Sequence, residues 1–284
     1  ELTSERCQFV VVDDCSQDKS VDLLLKFQEE YQDLKFMDFH VVVREQNGGF
    51  SAAMNSGINA STGRYILSLN SDVAVTPEFL KPLVDAFQEG VFSTKATSIL
   101  PDGTNESIKS AKWRKGLLEP FVASPESYDP EKGVLYPDAG CCLYDTKKLK
   151  ELGGFDEMYC PFYFEDFDLG LRALAKGWKH LYAQHSYVEH AHNQTVKKVV
   201  KRLDQNPVFI RNRELFNIKN ITDPRVVLPR ECWRILRFTK ALITGDKPMI
   251  KGMWEAYMIQ IGIHKLKIKP NQTNLTKYEI DTRI

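Results

Sequence analysis

An α/β fold, a mostly parallel sheet flanked by helices with a C-terminal helical extension, is predicted by three observations. Apolar, β-branched runs alternate with helical segments through the first half of the chain. Each run ends in a polar or glycine-bearing turn, as strand ends do. Beyond Asn193 strand signals stop, and helical patches continue to about Lys267, broken near Pro207, Pro224 and Pro229.

The elements follow in order. Phe9-Val10-Val11-Val12 reads as a strand buried on both faces, ending at Asp13-Asp14-Cys15-Ser16. A helix is predicted from about Lys19 to Tyr31, then a strand from Phe39 to Val43. After Asn47-Gly48-Gly49, the small residues from Ser51 to Ala60 form a short helix. Tyr65 to Leu69 is a third strand, ending at Asn70-Ser71-Asp72. Thr76-Pro77-Glu78 then offers a helix cap, a proline at the first helical position and an early acid. From Pro101 to Pro137 the pattern dissolves into an irregular stretch long enough to be a functional loop, within which Trp113 is a candidate lid residue. Asp138 to Tyr144 reads as a strand, and the Gly153-Gly154-Phe155-Asp156 turn precedes an acidic helix start.

Bulk properties exclude some classes. The chain has 284 residues, 43% of them apolar, with Lys+Arg and Asp+Glu balanced at 38 each. A basic footprint for nucleic acid is lacking. No apolar run reaches the ~20 residues that span a bilayer. The six cysteines form no C-x-x-C pair, which favours a reducing compartment and a cytoplasmic location. Six N-x-S/T triplets pull the other way, but such short motifs arise often by chance.

Two groups of residues suggest chemistry. Acidic and glycine clusters fall at three strand ends: Asp13 and Asp14, Asn47 and Gly49, then Asn70 and Asp72. Ligands of open α/β sheets bind outside such ends. The aspartates there can accept from a base or ribose, glycines admit close backbone approach, and Asp72 suits a divalent cation. Each is also ordinary turn material. The second group is Glu165, Asp166 and Asp168 at a helix start, with His190 twenty-four positions beyond Asp166. Acids in a first turn commonly complement the helix dipole, so this cluster alone reads as capping. Arg172, one turn past Asp168, is placed to pair with it. His185 and His192 stay off the metal list, and Trp178, after Gly177, reads as core packing.

Together, Val10–Ser16, Asn47–Gly57, Leu67–Val73, Gly153–Glu157 and Phe164–Arg172 resemble the successive motifs of GT-A fold, family 2 inverting glycosyltransferases. The closest likeness is to the branch holding rhamnosyl- and galactofuranosyl-transferases. The resemblance spans Phe9 to Asn217. It implies a GT-A (Rossmann-like) catalytic domain over residues 1–217 and a helical extension over 218–284. It further implies Asp13, Asp14, Asn47, Gly49, Asn70 and Asp72 on a nucleotide sugar (UDP-, dTDP- or GDP-linked). Asp166 would be the catalytic base, and Asp72 with His190 would hold Mg²⁺ or Mn²⁺. Gly154, Glu165, Asp168, Arg172 and Trp113 would shape or support the acceptor side, the acceptor being a glycan or a lipid-linked saccharide. Asn70 stands where the family often has the first aspartate of D-x-D, so the site carries one less charge.

The resemblance also implies a strand ahead of Phe9, lying between the Phe9 and Tyr65 strands. The expectation is that the chain lacks this first strand and that an N-terminal segment belongs before it. Two other classes compete: a catalytically degenerate nucleotide- or glycan-binding protein, and a nucleotidyltransferase of similar layout. The C-terminal helices interleave bulky apolar with basic residues, so contact with the inner face of a membrane competes with ordinary packing against the catalytic domain.

Overall fold

The computed structural model describes residues 7–31, 37–190, 205–265 and 280–281. Strands β1 (Cys7–Asp13) and β2 (Met37–Val43) pair in parallel through helix α1 (Ser20–Tyr31). Helix α2 (Gly49–Ala60) packs on β1 and leads to β3 (Tyr65–Leu69), β4 (Val73–Val75) and the short α3 (Leu80–Asp85). Then come β5 (Val91–Ile99), the hairpin β6 (Lys109–Arg114) and β7 (Leu117–Val122), and β8 (Cys141–Asp145). Helix α4 (Thr146–Glu151), α5 (Glu165–Ala175) and β9 (Lys179–His190) complete the α/β body. Helices α6 (Pro207–Asn220), α7 (Pro224–Thr244) and α8 (Lys247–Lys265) follow.

The main sheet has the order β3-β8-β5-β9-β4. It is mixed rather than mostly parallel: only β5 and β9 run together, whereas β8 opposes β3 and β5, and β4 opposes β9. β1 and β2 stand as a separate pair, so one edge of β1 and one of β3 carry no strand among the described residues. The expectation that β1 is buried on both faces therefore fails, and Phe9 is half exposed.

Two further expectations are corrected. Thr76 and Pro77 form a turn closed by the Phe79 N–H on the Thr76 carbonyl at 3.2 Å, and α3 starts only at Leu80. The Thr76 hydroxyl donates to the Tyr187 carbonyl at 3.1 Å, so it is not spent on a cap. The stretch from Pro101 to Pro137 is not wholly irregular, because it holds the β6–β7 hairpin. Its two-residue turn, Lys115-Gly116, has φ of 50° and 77°, the geometry that matches strand twist.

The largest hydrophobic cluster joins Leu135, Tyr136, Tyr159, Phe164, Phe167 and Leu171 with Leu215, Phe216, Ile221, Val226, Ala256 and Ile280. Helix α6 runs through the predicted 217/218 boundary, and this cluster draws on both sides of it. A second cluster, around Phe92, Tyr144, Phe155 and Leu169, packs α5 against the sheet; Trp178 stacks on Phe92 at its margin. No helix among the described residues is long and apolar enough to cross a membrane. Cys15, Cys141, Cys142, Cys160 and Cys232 are free thiols.

Candidate active site

The first strand tip is built from its own residues. Asp13 is buried and accepts the Ser16 N–H at 2.9 Å, which closes the turn after β1. Asp14 accepts the N–H groups of Gly48 (3.0 Å) and Gly49 (2.8 Å), the first free donors of α2, and the Arg44 Nε at 2.8 Å. Asn47 donates to the Asp14 carbonyl at 3.0 Å. Gly49 has φ of 75°, and a Cβ there would lie 2.7 Å from the Pro161 backbone, which binds this loop to the segment ahead of α5.

The second group gathers where β3 and β9 end and β8 begins. Pairing of Val73 with His190 brings Asp72 beside the imidazole, with Oδ1 3.4 Å from Nε2. The Nδ1 side of His190 meets Glu106 Oε1 at 2.7 Å. The Glu106 hydrogen bond, backed by the charges of Glu106, Asp72 and Asp138, raises the pKa of His190 above its ordinary value against the opposing effect of burial. Asn70 is fixed by its N–H on the Gly140 carbonyl at 2.9 Å. A Cβ at Gly140 would lie 3.1 Å from Asp138, 3.6 Å from Asn70 and 3.6 Å from His190, so glycine lets these groups converge.

A divalent cation fits this donor set. A carboxylate orients the far nitrogen of His190, which turns Nε2 toward Asp72, as outer partners do for metal-binding histidines. Asp72 and His190 are two donors, and no group of three His, Cys, Asp or Glu side chains among the described residues could hold an ion. Remaining positions would fall to phosphate oxygens and water, the usual arrangement for Mg²⁺ at a diphosphate.

The third group is the acidic start of α5, whose three carboxyls have three environments. Asp168 is fully buried and accepts from Arg172 (2.7 Å), Lys219 (2.7 Å), Asn220 (2.9 Å) and Tyr159 (3.1 Å). Burial alone would raise its pKa, but Arg172 and Lys219 outweigh that and hold it low. Glu165 is buried with one oxygen unpartnered, and desolvation, aided by the Asp166 charge, pushes it well up. Asp166 is partly buried, and desolvation together with the Asp138 charge raises it to about 7. That is where a general base is best poised.

Asp138 ties the groups together. It pairs with Lys95 at 2.9 Å and Lys109 at 3.6 Å. Lys95 is wholly buried, yet Asp138 keeps its pKa raised despite desolvation. Lys109 also meets Glu106 at 3.5 Å. Charges therefore alternate along Lys95, Asp138, Lys109, Glu106, His190 and Asp72, and Asp138 acts on both Asp166 and His190.

The approach to α5 is strained. Tyr163 and Phe164 have φ of 75° and 78°, a region costing non-glycine residues about 1–2 kcal/mol each. Asn212, buried on α6, holds them by donating to the carbonyls of Tyr159 (2.6 Å), Phe162 (2.9 Å) and Tyr163 (3.1 Å). Arg172 reaches the carbonyls of Leu152 (2.8 Å) and Gly154 (2.8 Å), fixing the glycine turn. Trp113 sits on β6, its indole donating to Asp281 at 2.6 Å, and packs against the main core.

Sequence reasoning missed Lys95, Glu106, Lys109, Asp138 and Asn212. Asp138 had a signal, an acid and a glycine bracketing the start of a predicted strand; the others had none short of the fold.

Comparison with known proteins agrees with this geometry. The family described as Glycosyl transferase family 2 matches residues 1–153. The putative teichuronic acid biosynthesis glycosyltransferase TuaG of Bacillus subtilis is 27% identical over 137 residues, 47% of this chain and 48% of that protein. The pre-mycofactocin glycosyltransferase of Mycobacterium tuberculosis is 26% identical over 168 residues, 58% of this chain and 35% of that protein. The chain thus spans less than half the length of either relative. Among solved structures, GalNAc-T7 with UDP, GalNAc and Mn²⁺ aligns with a TM-score of 0.57 at 15% identity, over 93% of this chain and 52% of that one. The mannosyltransferase PcManGT of Pyrobaculum calidifontis, in complex with GDP-Man and Mn²⁺, aligns at 0.52 and 14% identity, over 92% and 72%. These likenesses show the GT-A fold.

Proposed function

The chain belongs to glycosyltransferase family 2, and from that premise we propose that it moves a sugar from a nucleoside-diphosphate sugar to a hydroxyl of a glycan or lipid-linked saccharide, with inversion. The observation that carries this reading is Asp166, a carboxyl raised to about 7 that shares the Asp138 charge with the Asp72–His190 pair. Asp166 takes the proton of the acceptor hydroxyl while that oxygen bonds to the anomeric carbon. The bond from that carbon to the diphosphate breaks, and its electron pair leaves with the nucleoside diphosphate. Asp72 and His190 would hold a Mg²⁺ or Mn²⁺ ion, which would supply charge neutralisation at the diphosphate.

The supporting residues keep this geometry. Asp168, Arg172, Lys219 and Asn220 lock α5 in place, and Asn212 fixes the turn that delivers Asp166. The Asp13–Asp14 tip and the Asn47–Gly49 loop form the nucleoside side, and Asn70 borders the metal. Gly154, Glu165 and Trp113 belong to the acceptor side. The branch of hexosyl and deoxyhexosyl transferases remains the proposed setting, with UDP-, dTDP- or GDP-linked donors.

The test is product analysis with a panel of such nucleotide sugars, Mn²⁺ and saccharide acceptors. Transfer with inverted anomeric configuration is expected. Hydrolysis without transfer, pyrophosphate formation, or binding without turnover would each replace this reading with one of its two rivals.

A further inference from the structure

Helices α7 and α8 present apolar residues outward. On α7, Leu228, Ile235, Leu236, Leu242 and Ile243 recur at helical spacing along one side, with Ile243 81% exposed and Leu228 70%. The opposite side carries Val226, Arg230 and Ala241 into the core. On α8, Trp254, Tyr257 and Met258 face out at i, i+3 and i+4, while Met253 and Ala256 are buried. A Cβ at Gly252 would lie 2.6 Å from the Pro207 carbonyl oxygen, so α8 lies close on α6 and cannot turn these side chains inward. Between the helices lies a cavity of about 250 Å³, lined by Ile218, Ile235, Phe238, Met253, Trp254 and Tyr257.

Positive charge predominates around this face. Residues 224–265 contain eight Lys and Arg against three Asp and Glu, in a chain whose total is balanced; of the eight, Arg230 is buried on the far side of α7 and Arg237 pairs with Glu214. The acids are engaged locally: Glu231 with Arg230 and Arg234, Glu255 with Lys251 and Arg211, and Asp246 on the Met249 N–H. Lys247 and Lys251 continue the line of Trp254 and Met258 along α8, and Lys240 lies exposed at the border of the α7 stripe.

We propose that the outer faces of α7 and α8 are a docking surface for an anionic lipid bilayer. The aliphatic side chains enter the interfacial layer, Trp254 and Tyr257 sit at its polar boundary, and the lysines meet lipid phosphates. Apolar stripes with aromatic residues and a basic rim are what such a layer binds. The cationic excess is what selects it over a second copy of this face, which would set like charges against each other. The surface is independent of the transfer reaction. Because α6 holds the turn before α5 through Asn212, docking would present the base-bearing helix at a fixed height above the membrane.

The test is flotation of the full chain with neutral phosphatidylcholine vesicles and with vesicles holding about 30% phosphatidylglycerol. Binding to the anionic vesicles and little to the neutral ones is expected. Ile235→Ser with Ile243→Ser, and separately Lys247→Glu with Lys251→Glu, should each lower partitioning about 10-fold or more. All four positions are solvent-exposed, and unchanged thermal melts would verify folding. Failure to float with either vesicle overturns the proposal. So does lipid-independent self-association, seen by sedimentation velocity and abolished by the serine pair, which would make the face a protein interface. Retained donor transfer beside lost flotation would separate this result from the catalytic reading.

Discussion

Replacing Asp168 by Asn should destabilise the fold that supports the site without touching the reacting atoms. Asp168 is wholly buried, and it faces two cations that are also nearly inaccessible, Arg172 and Lys219, each at 2.7 Å. Asn keeps the shape but removes the charge, and its amide hydrogens point donors at donors. Taking one member from a buried ionic group costs about 3–5 kcal/mol, because the partner charges stay buried. Two features hold the loss near the lower end. Lys219 keeps Asp156 at 2.7 Å, and Arg172 keeps the carbonyls of Leu152 and Gly154. The expected loss is about 3 kcal/mol, read by urea denaturation at pH 7.5. Because this carboxyl is held below its ordinary value of 3.8, its contribution is complete above that pH. It disappears only as pH falls through the lower folded value. The gap between parent and variant should therefore be flat from about pH 5 to 8 and close in stronger acid. A loss under about 1 kcal/mol, or a gap that changes near neutrality, would refute the reasoning.

Three other outcomes follow from the same geometry. Asp166 has a folded pKa of about 7 against an ordinary 3.8, so its charge costs stability above pH 7. Asp166→Asn should be more stable than the parent at pH 8, by on the order of 1–4 kcal/mol, with no difference below about pH 4; equal unfolding midpoints at pH 8 would count against the assignment. Lys109 lowers the Asp166 value, so Lys109→Met should move the rising limb of the pH–rate profile upward, and a profile that stays in place would remove Lys109 from the base's environment. Asn212→Ala removes the donor to one buried and two partly buried carbonyls and should cost about 1–3 kcal/mol in chemical denaturation, with slower transfer as Phe164 leaves its left-handed conformation. A stable variant of full activity would show that the turn holds itself.

Much of the α/β body was legible because apolar runs with polar ends are a local signal. β3 and the end of α1 fall where periodicity put them. β5 was invisible for a physical reason. Its interior carries Ser93, Thr94, Lys95, Thr97 and Ser98, all buried and satisfied by partners such as His180, the Leu83 carbonyl and Asp138. A strand whose buried residues are polar has no hydrophobic pattern to read. β9 was missed as well, since its histidines and tyrosines blur the alternation. The candidate site was half legible. Asp72, Asp166 and His190 sit in motifs, whereas their tuning comes from Glu106, Lys109 and Asp138, brought in by pairings between strands far apart in sequence. The strand-tip residues illustrate the converse. Asp14 was read from its place beside a strand end, and the structure gives it hydrogen bonds that also organise the loop.

The central claim is that Asp166 removes the acceptor proton. The most direct measurement is the transfer rate of Asp166→Asn at saturating donor, acceptor and Mn²⁺, near pH 8. A fall of about 10²–10⁴-fold is predicted, in a protein whose carboxamide keeps the hydrogen bond from the Phe167 N–H. A rate within about threefold of the parent would contradict the account and move the base elsewhere.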